Sequence, residues 1–203
     1  MTKLCLYDDN ENNTIVLQMK NIIKILQALI LVLQKLLKQK KKEEENDFEK
    51  FALAIRKRES SNNYQIVNVY GYMGAYQFGM ARLCDLGYTE RKAGTSGYAQ
   101  SAFEWRAGYS KEYFISNPDF QDRVFKQHCQ DLIARIKKSF SGYLGKQING
   151  TEITLSGLVA GAHLGGIGGV SGYLGGIVDS HDQLGTSVSS YIKQFGGYNL
   201  EKL

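Results

Sequence analysis

The residue in this sequence with the clearest chemical potential is Glu59, a carboxyl placed where an apolar side chain is expected. Phe48, Phe51 and Ile55 recur at steps of three or four, which places them on one face of a helix. The next step on that face is Glu59. Burial disfavours the charged form of a carboxyl, and a carboxyl that keeps its proton near neutral pH can act as a general acid. Glu59 is therefore the candidate catalytic acid, and an exposed glutamate at a fraying helix end is the alternative.

A stretch rich in tyrosine and glycine, residues 70–79, follows the candidate acid. Tyr70, Tyr72 and Tyr76 alternate with small residues, and the amide Gln77 comes next. Aromatic rings pack against the apolar faces of sugars, and amides hydrogen-bond to hydroxyl and acetamido groups. The stretch predicts a groove that binds a saccharide chain; a simple glycine- and tyrosine-rich turn has the same composition.

Together these residues resemble a motif of lytic transglycosylases in the goose-lysozyme-like superfamily. Glu59-Ser60 followed by Gly71, Gly74 and Gln77 is similar to that family's E-S … G-x-x-G-x-x-Q pattern. The two glycines and the glutamine come 12, 15 and 18 residues after the glutamate, as in the family.

Three further features extend the resemblance over residues 47–198. Asn63 is similar to the family's asparagine four residues after the glutamate. Residues 162–166, A-H-L-G-G, resemble the family's A-Y-N-A-G motif, with His163 at the position of the usual tyrosine. Residues 185–198 resemble the C-terminal ending of phage-type peptidoglycan hydrolases.

The resemblance implies a mainly α, lysozyme-like domain with a small irregular or β region. It also implies an enzyme that cleaves the β-1,4 bond between N-acetylmuramic acid and N-acetylglucosamine in peptidoglycan. Glu59 would protonate the glycosidic oxygen and then accept the proton of the muramic acid's own 6-hydroxyl, giving a 1,6-anhydro product with a single carboxyl. The implied substrate-binding residues are Ser60, Gln77, Tyr76, His163 and Tyr64, and further candidate sugar platforms are Tyr70 and Trp105.

Three other functions stay open. An inverting hydrolase of the same fold needs a second carboxylate roughly 6.5–9.5 Å from the first to activate water, and its candidates are Asp85 and Glu104. A non-catalytic wall-binding or assembly protein would grip the glycan without cleaving it. A chitin-directed glycosidase would use the same acid on a different polymer.

Composition excludes several other classes. The net charge of +5 on 203 residues fits an anionic cell-wall polymer and is too small to indicate nucleic acid. Cys5, Cys84 and Cys129 are odd in number and lack a C-x-x-C, which argues against a disulfide framework or a zinc site. No metal-ligand cluster or phosphate-binding loop is visible, so neither a metal nor a cofactor is expected. Of the remaining histidines, we expect His128 to be structural and His181 to be solvated.

An apolar segment, residues 15–37, precedes this region. A heptad stripe at steps of three and four is formed by Met19, Ile22, Leu26, Leu29, Leu33 and Leu36. The segment is interpreted as a helix that packs on a partner or on itself, as a membrane-surface or anchor helix, or as a helix packed on its own domain. The longest uncharged run, Ile25 to Gln34, is shorter than the ~20 residues of a membrane span.

Residues 1–14 lack the basic start of a signal peptide. A protein that acts at the cell wall or periplasm would then be delivered by a phage particle, by lysis or by a secretion system, or be anchored by the apolar helix. The charged stretch 38–45 has no apolar residue and places a boundary near Asn46. The predicted organisation is an N-terminal helix with a charged linker, residues 1–46, and a catalytic domain, residues 47–203.

Helices are predicted from Asn46 onward, over Gln77–Leu86, and from Pro118 through Phe140, where Asn117-Pro118 is a favourable start. Shorter helices are predicted after caps at Thr154 and Thr186. Tyr64–Tyr72 is predicted to be either short strands or an extended loop.

Overall fold

The computed structural model describes residues 9–182 and 184–203, and these residues are mainly helical with two small antiparallel sheets. By its contacts the chain divides into two units, residues 1–43 and residues 44–203. The described α-helices are α1 Asp9–Ser60, α2 Met80–Asp85, α3 Lys111–Ser116, α4 Pro118–Phe140, α5 Leu155–Leu174 and α6 Val188–Gln194. One sheet pairs β1 Thr89–Arg91 with β2 Phe103–Trp105, and the other pairs β3 Gln147–Ile148 with β4 Thr151–Glu152. The predicted mainly α class, with an apolar N-terminal helix and a small β region, is confirmed.

The apolar segment of the first unit is helical and lies within α1. Every side chain from Thr14 to Glu43 is exposed, including the whole predicted heptad stripe. Within the described residues, this helix is the one that is long and apolar enough to cross a membrane, by length and composition alone.

The C-terminal part of α1 belongs to the second unit and buries the predicted apolar face. Phe51 and Ile55 are fully buried and Phe48 is 7% exposed. The ring of Phe51 stacks on Phe125 of α4 at 6.1 Å between centroids and meets the ring of Tyr198 edge-on at 5.5 Å. These contacts fix the end of α1, where Glu59 lies, against the core.

Helix α4 begins as predicted, with proline as its first residue and a capping side chain before it. The side-chain oxygen of Asn117 accepts a hydrogen bond from the backbone N–H of Phe120 at 3.0 Å. α4 packs against α3 and α5. Cys129, on its buried face, and Cys84 are free thiols, whereas Cys5 lies outside the described residues.

Helix α2 is shorter than the predicted Gln77–Leu86. Gln77 adopts a left-handed backbone with φ of +50°, and its N–H bonds to the carbonyl of Gly74 in a turn. Gly79 is extended, so the helix begins only at Met80. The expected stop is present, since Gly87 has φ of +88°. The apolar period continued through the turn, which is why the sequence predicted the start too early.

The last two helices also differ in detail from the prediction. Thr154 caps α5 as expected, but α5 spans 20 residues and is kinked at Gly166, where φ is +68° and ψ is 177°. The cap of α6 is Ser187, whose hydroxyl accepts from the N–H of Ser190. The predicted cap, Thr186, instead donates its N–H to Asp182 in the preceding loop.

Glycines allow α5 and α6 to approach closely. A Cβ at Gly157 would lie 2.6 Å from the carbonyl oxygen of Ile192, and one at Gly165 would lie 2.5 Å from a methyl group of Val188. A side chain at either position would therefore separate the two helices.

The segment between α1 and α2 is an extended loop closed by isolated bridges. Val67 pairs with Met73, and Met73 pairs with Phe78. This folds residues 64–79 back beside the end of α1, and the loop interpretation of Tyr64–Tyr72 is confirmed.

Candidate active site

A cavity of about 350 Å³ in the second unit contains the candidate acid. It is lined by Glu59, Asn68, Tyr70, Tyr72, Gln77, His163, Leu164, His181, Asp182 and Leu184. A second cavity of about 210 Å³ shares Tyr72, Gln77 and His163 with it and adds Arg82 and His128. Because they share walls, we treat the two cavities as one groove.

Two other depressions are larger but hold less suitable chemistry. One of about 530 Å³ lies beside Asp179, whose carboxylate accepts hydrogen bonds from the backbone and hydroxyl of Ser189. The other, of about 600 Å³, lies beside Asp47, which pairs with Lys50. Of these depressions, the groove is the one that combines a largely buried carboxyl with imidazole rings.

Glu59 is held at the end of α1 by a tyrosine from α6. Its Oε1 accepts a hydrogen bond of 2.6 Å from the hydroxyl of Tyr191, and its side chain is 15% exposed. Burial, and next the adjacent Glu59 carboxylate, raise the pKa of Tyr191 far above its usual value. The Tyr191 hydroxyl therefore stays protonated and acts as the donor. Nε2 of His163 lies 3.8 Å from the same carboxyl oxygen.

His163 continues into a buried polar chain. Its Nδ1 lies 3.0 Å from Nε2 of His128, and Nδ1 of His128 accepts a hydrogen bond of 2.8 Å from Nε of Arg82. Burial lowers the pKa of His163, and it lowers the pKa of His128 further, with His163 and Arg82 adding to the effect at His128. Both imidazoles are therefore neutral at neutral pH.

Ser60 does not line the groove, contrary to its predicted role in substrate binding. Its side chain is buried, and its hydroxyl donates to the carbonyl of Ala75 at 2.9 Å and accepts from the N–H of Asn63. Ser60 thus ties the end of α1 to the returning loop and fixes the position of its neighbour, Glu59.

Tyr76 and Tyr64 are also turned away from the groove, which corrects their predicted role. Tyr76 is 1% exposed, and its ring stacks on Phe125 at 3.9 Å. Its hydroxyl donates to Asp122 of α4 at 2.7 Å and accepts from Arg56, and the hydroxyl of Tyr64 donates to the same carboxylate. Burial first, and then Asp122, raise the pKa of both tyrosines. These side chains anchor the loop to α1 and α4.

Of the tyrosine- and glycine-rich stretch predicted to face a saccharide, Tyr70, Tyr72 and Gln77 line the groove, whereas Tyr76 does not. The side chain of Asn68 accepts hydrogen bonds from the N–H groups of Tyr70 and Tyr72 and so shapes their turn. Gln77 lines both cavities, and its side-chain amide donates to the carbonyl of Gly74 at 2.9 Å. A left-handed backbone at a residue other than glycine is uncommon and is found often at functional sites.

The two acids predicted to assist Glu59 lie elsewhere. Asp85 pairs with Arg82 within α2, and Glu104 is exposed in β2. The groove instead contains Asp182, whose Oδ1 accepts from the N–H groups of Leu184 and Thr186.

Sequence reasoning also missed residues in and next to the groove. Tyr191, which bonds to Glu59 without lining either cavity, was not singled out, although a buried tyrosine hydroxyl requires a partner. His128 and His181 were set aside as structural and solvated; both contribute to the groove walls. The candidate platform Trp105 packs against Phe114 and does not line the groove.

No family model, curated protein or solved structure matches this chain. Among the residues that the structure describes, no group of three or more His, Cys, Asp and Glu side chains is arranged to hold a metal ion. The residues of the groove and the spacing of its motif are therefore the basis for a functional proposal.

Proposed function

We propose that this protein is a peptidoglycan-cleaving enzyme of the lysozyme-like type, a lytic transglycosylase acting at the bacterial cell wall. The observation that carries the proposal is Glu59, a carboxyl 15% exposed in a groove and held by Tyr191. Gln77 lines the same groove, and the spacing between Glu59 and Gln77 is similar to the spacing in the motif of that family.

The chemistry needs one carboxyl. Protonated Glu59 donates its proton to the glycosidic oxygen as the bond from that oxygen to C1 of N-acetylmuramic acid breaks. The Glu59 carboxylate then accepts the proton of the same sugar's 6-hydroxyl as its oxygen bonds to C1, which closes the 1,6-anhydro ring. Glu59 ends protonated, as it began, and no water is consumed.

The groove offers contacts for a sugar chain near this acid. Tyr70 is 45% exposed and can stack on a sugar ring, and Tyr72 and Gln77 lie between the two cavities. The amide of Gln77 is fixed by Gly74 and presents a polar group to acetamido substituents.

The decisive experiment replaces Glu59 by Gln, which keeps the shape and removes the acid. We expect Glu59→Gln to abolish the clearing of purified peptidoglycan while sedimentation with peptidoglycan persists. Glu104→Gln is the matched control because Glu104 is an exposed glutamate outside the groove, and its activity should equal that of the wild type. Full activity in Glu59→Gln would refute the proposal. If the wild-type protein binds peptidoglycan without cleaving it, the result would indicate a wall-binding protein.

A second candidate function, a hydrolytic muramidase, is favoured by Asp182, the other carboxylate that lines the groove. A hydrolase would use it to activate water, so Asp182→Asn would abolish its activity. In a transglycosylase Asp182→Asn retains cleavage. Mass analysis of the released muropeptides separates the two directly, because anhydro products are lighter by one water. Cleavage of chitin oligomers in place of peptidoglycan would indicate a chitin-directed glycosidase.

A further inference from the structure

The exposed helix of the first unit has a strongly one-sided charge. Residues 14–42 contain seven lysines and no aspartate or glutamate. The lysines are Lys20, Lys24, Lys35, Lys38, Lys40, Lys41 and Lys42. All of these side chains are exposed. A segment of this kind has strong electrostatic affinity for anionic surfaces.

The lysines and glutamines within residues 19–37 share one face of α1, and Asn21 lies at the edge of that face. This face carries Lys20, Lys24, Gln27, Gln34 and Lys35, which follow one another at spacings of four, three, seven and one. The opposite side, which we call the apolar face, carries Met19, Ile22, Ile23, Ile25, Leu26, Leu29, Ile30, Val32, Leu33, Leu36 and Leu37, all exposed. The apolar face covers about half of the helix circumference, which exceeds the narrow seam of a two-stranded coiled coil.

This arrangement disfavours two other ways of covering the apolar face, namely pairing with a second copy of the helix and spanning a membrane. In a parallel pair of copies, the lysine-rich segments would lie side by side and repel each other. The seam between the two helices would also leave part of the apolar face exposed at its edges, at Ile23, Ile25, Ile30 and Val32. A membrane span would place Lys24 and Gln27, which lie in the middle of the segment, in the hydrocarbon without partners. A helix lying in the plane of the interface satisfies both faces.

We infer that residues 14–42 bind the surface of an anionic lipid bilayer, with the apolar face at the acyl boundary and the lysines of the opposite face at the headgroup phosphates. These lysines are Lys20, Lys24, Lys35, Lys38 and Lys42, whereas Lys40 and Lys41 follow the last apolar residue, Leu37, on the other side of the helix. This inference does not depend on the proposed enzymatic activity. It assigns to the first unit a role in holding the protein at a membrane.

The test is flotation of the full chain with vesicles. We expect binding to vesicles of equal parts phosphatidylglycerol and phosphatidylcholine, weakening in high salt, and binding at least about tenfold weaker to phosphatidylcholine alone. Release by alkaline carbonate is expected of a surface helix. Absence of binding to the anionic vesicles, equal binding to both lipids, or resistance to carbonate would each overturn the inference.

A matched pair of variants tests which face of the helix contacts the lipid. Leu29 lies in the middle of the apolar face, and Leu31 lies among the lysines. Leu29→Gln should weaken vesicle binding about tenfold, because one leucine leaves the lipid. Leu31→Gln should change it less than Leu29→Gln. Equal losses in the two variants, or a stable oligomer without lipid that Leu29→Gln dissociates, would overturn the inference.

The buried chain behind the candidate acid supports a second, independent inference. The guanidinium of Arg82 can only donate, so Nδ1 of His128 is the acceptor of its bond. Neutral His128 then carries its proton on Nε2 and donates it to Nδ1 of His163. Neutral His163 must therefore carry its own proton on Nε2, the atom that lies 3.8 Å from Oε1 of Glu59.

We propose that Arg82 and His128 are positioning residues that fix the tautomer of His163, with its proton on Nε2, the nitrogen that faces Oε1 of Glu59 at 3.8 Å. A reversed tautomer would present a lone pair to the carboxylate that Glu59 becomes after it has given up its proton, and would repel it. The catalytic consequence rests on the proposed function, whereas the tautomer itself does not.

Two measurements test the tautomer of His163 and its catalytic consequence separately. Nitrogen NMR of the imidazoles should show the Nε2–H tautomer at His163 in the wild type and lose this preference in Arg82→Gln. Arg135→Gln is the matched control, since Arg135 shares Asp131 with Arg82 but makes no hydrogen bond to His128. We expect it to keep the tautomer.

Peptidoglycan cleavage by Arg82→Gln should have a kcat about tenfold lower, with KM nearly unchanged, and Arg135→Gln should match the wild type. The Nδ1–H tautomer in the wild type would overturn the inference, and so would unchanged kcat in Arg82→Gln. An inactive wild type with the Nε2–H tautomer would refute the proposed function and leave the positioning of His163 established.

Discussion

At the scale of single residues, Tyr191 supplies the hydrogen bond that fixes the candidate acid. Tyr191 holds the Glu59 carboxyl by a hydrogen bond of 2.6 Å, and a displacement of a catalytic group by about 1 Å can lower a rate about a hundredfold. Tyr191→Phe should therefore lower kcat for the proposed peptidoglycan cleavage by at least about tenfold. Tyr113→Phe, at an exposed tyrosine outside the groove, should have no effect. Equal activity of the two variants would show that Tyr191 does not hold the acid in place.

The acid and its tyrosine also show what sequence can predict about a site. Glu59 stood out because it broke an apolar period on its own helix, which is a local signal. Tyr191 lies 132 residues later, and its partner is set by how α6 packs. Tyr76 kept the expected spacing but turned its ring onto Phe125, because Asp122 from α4 captures its hydroxyl. Partners contributed by distant helices leave no local pattern.

At the scale of elements, the contact between α5 and α6 depends on glycine. Gly157→Ala would place a methyl group 2.6 Å from the backbone carbonyl of Ile192. Since backbone cannot move aside cheaply, this change should lower the free energy of unfolding by about 1–3 kcal/mol. Gly168→Ala, on the same helix, meets no atom within 4 Å, and the helix propensity of alanine should leave stability unchanged or raised. Chemical denaturation compares the two, and equal stability would contradict the close contact.

The helix boundaries were predictable where capping is local. Asn117 marked the start of α4 because its side chain bonds to a backbone group three residues away. We expect Asn117→Ala to cost about 1 kcal/mol of unfolding free energy and Asn117→Asp to cost much less, since aspartate keeps the acceptor. Thermal unfolding measures both, and a similar loss in the two variants would argue against the cap. The start of α2 was mispredicted because Gln77 takes a left-handed turn that its apolar neighbours do not signal.

At the scale of the whole molecule, the neutral histidine pair links stability to pH. The pKa values of His128 and His163 are lowered from the usual value of about 6.5. Below that pH the unfolded chain binds protons that the folded chain does not, so stability must fall as the pH drops. Each histidine contributes a slope of up to about 1.4 kcal/mol per pH unit.

Urea denaturation between pH 7 and pH 5 measures this loss. His128→Gln removes one of the two titrating groups and should flatten the decline, whereas His181→Gln, at an exposed histidine, should not. Carboxyl groups affect stability at lower pH. Burial alone would raise the pKa of Asp131, but Arg82 and Arg135 lower it. The stability that Asp131 contributes is therefore lost as the pH falls below about 4. A flat profile between pH 7 and pH 5 would contradict the buried neutral pair.

The helices followed from apolar periodicity and capping residues, whereas the small irregular or β region was expected from the family resemblance. The groove did not follow, because it is assembled from the end of α1, the loop before α2, the middle of α5 and the loop before α6. The sequence indicated which segments carry polar chemistry, but only packing brings them to one place.

Trp105, the single tryptophan of the chain, packs half-buried against Phe114 and outside the groove. Its emission therefore reports whether the second unit is folded and is insensitive to occupancy of the groove. Intrinsic fluorescence can thus serve as an internal check of integrity for the variants in the second unit, while saccharide titrations require a different optical signal, such as tyrosine absorbance.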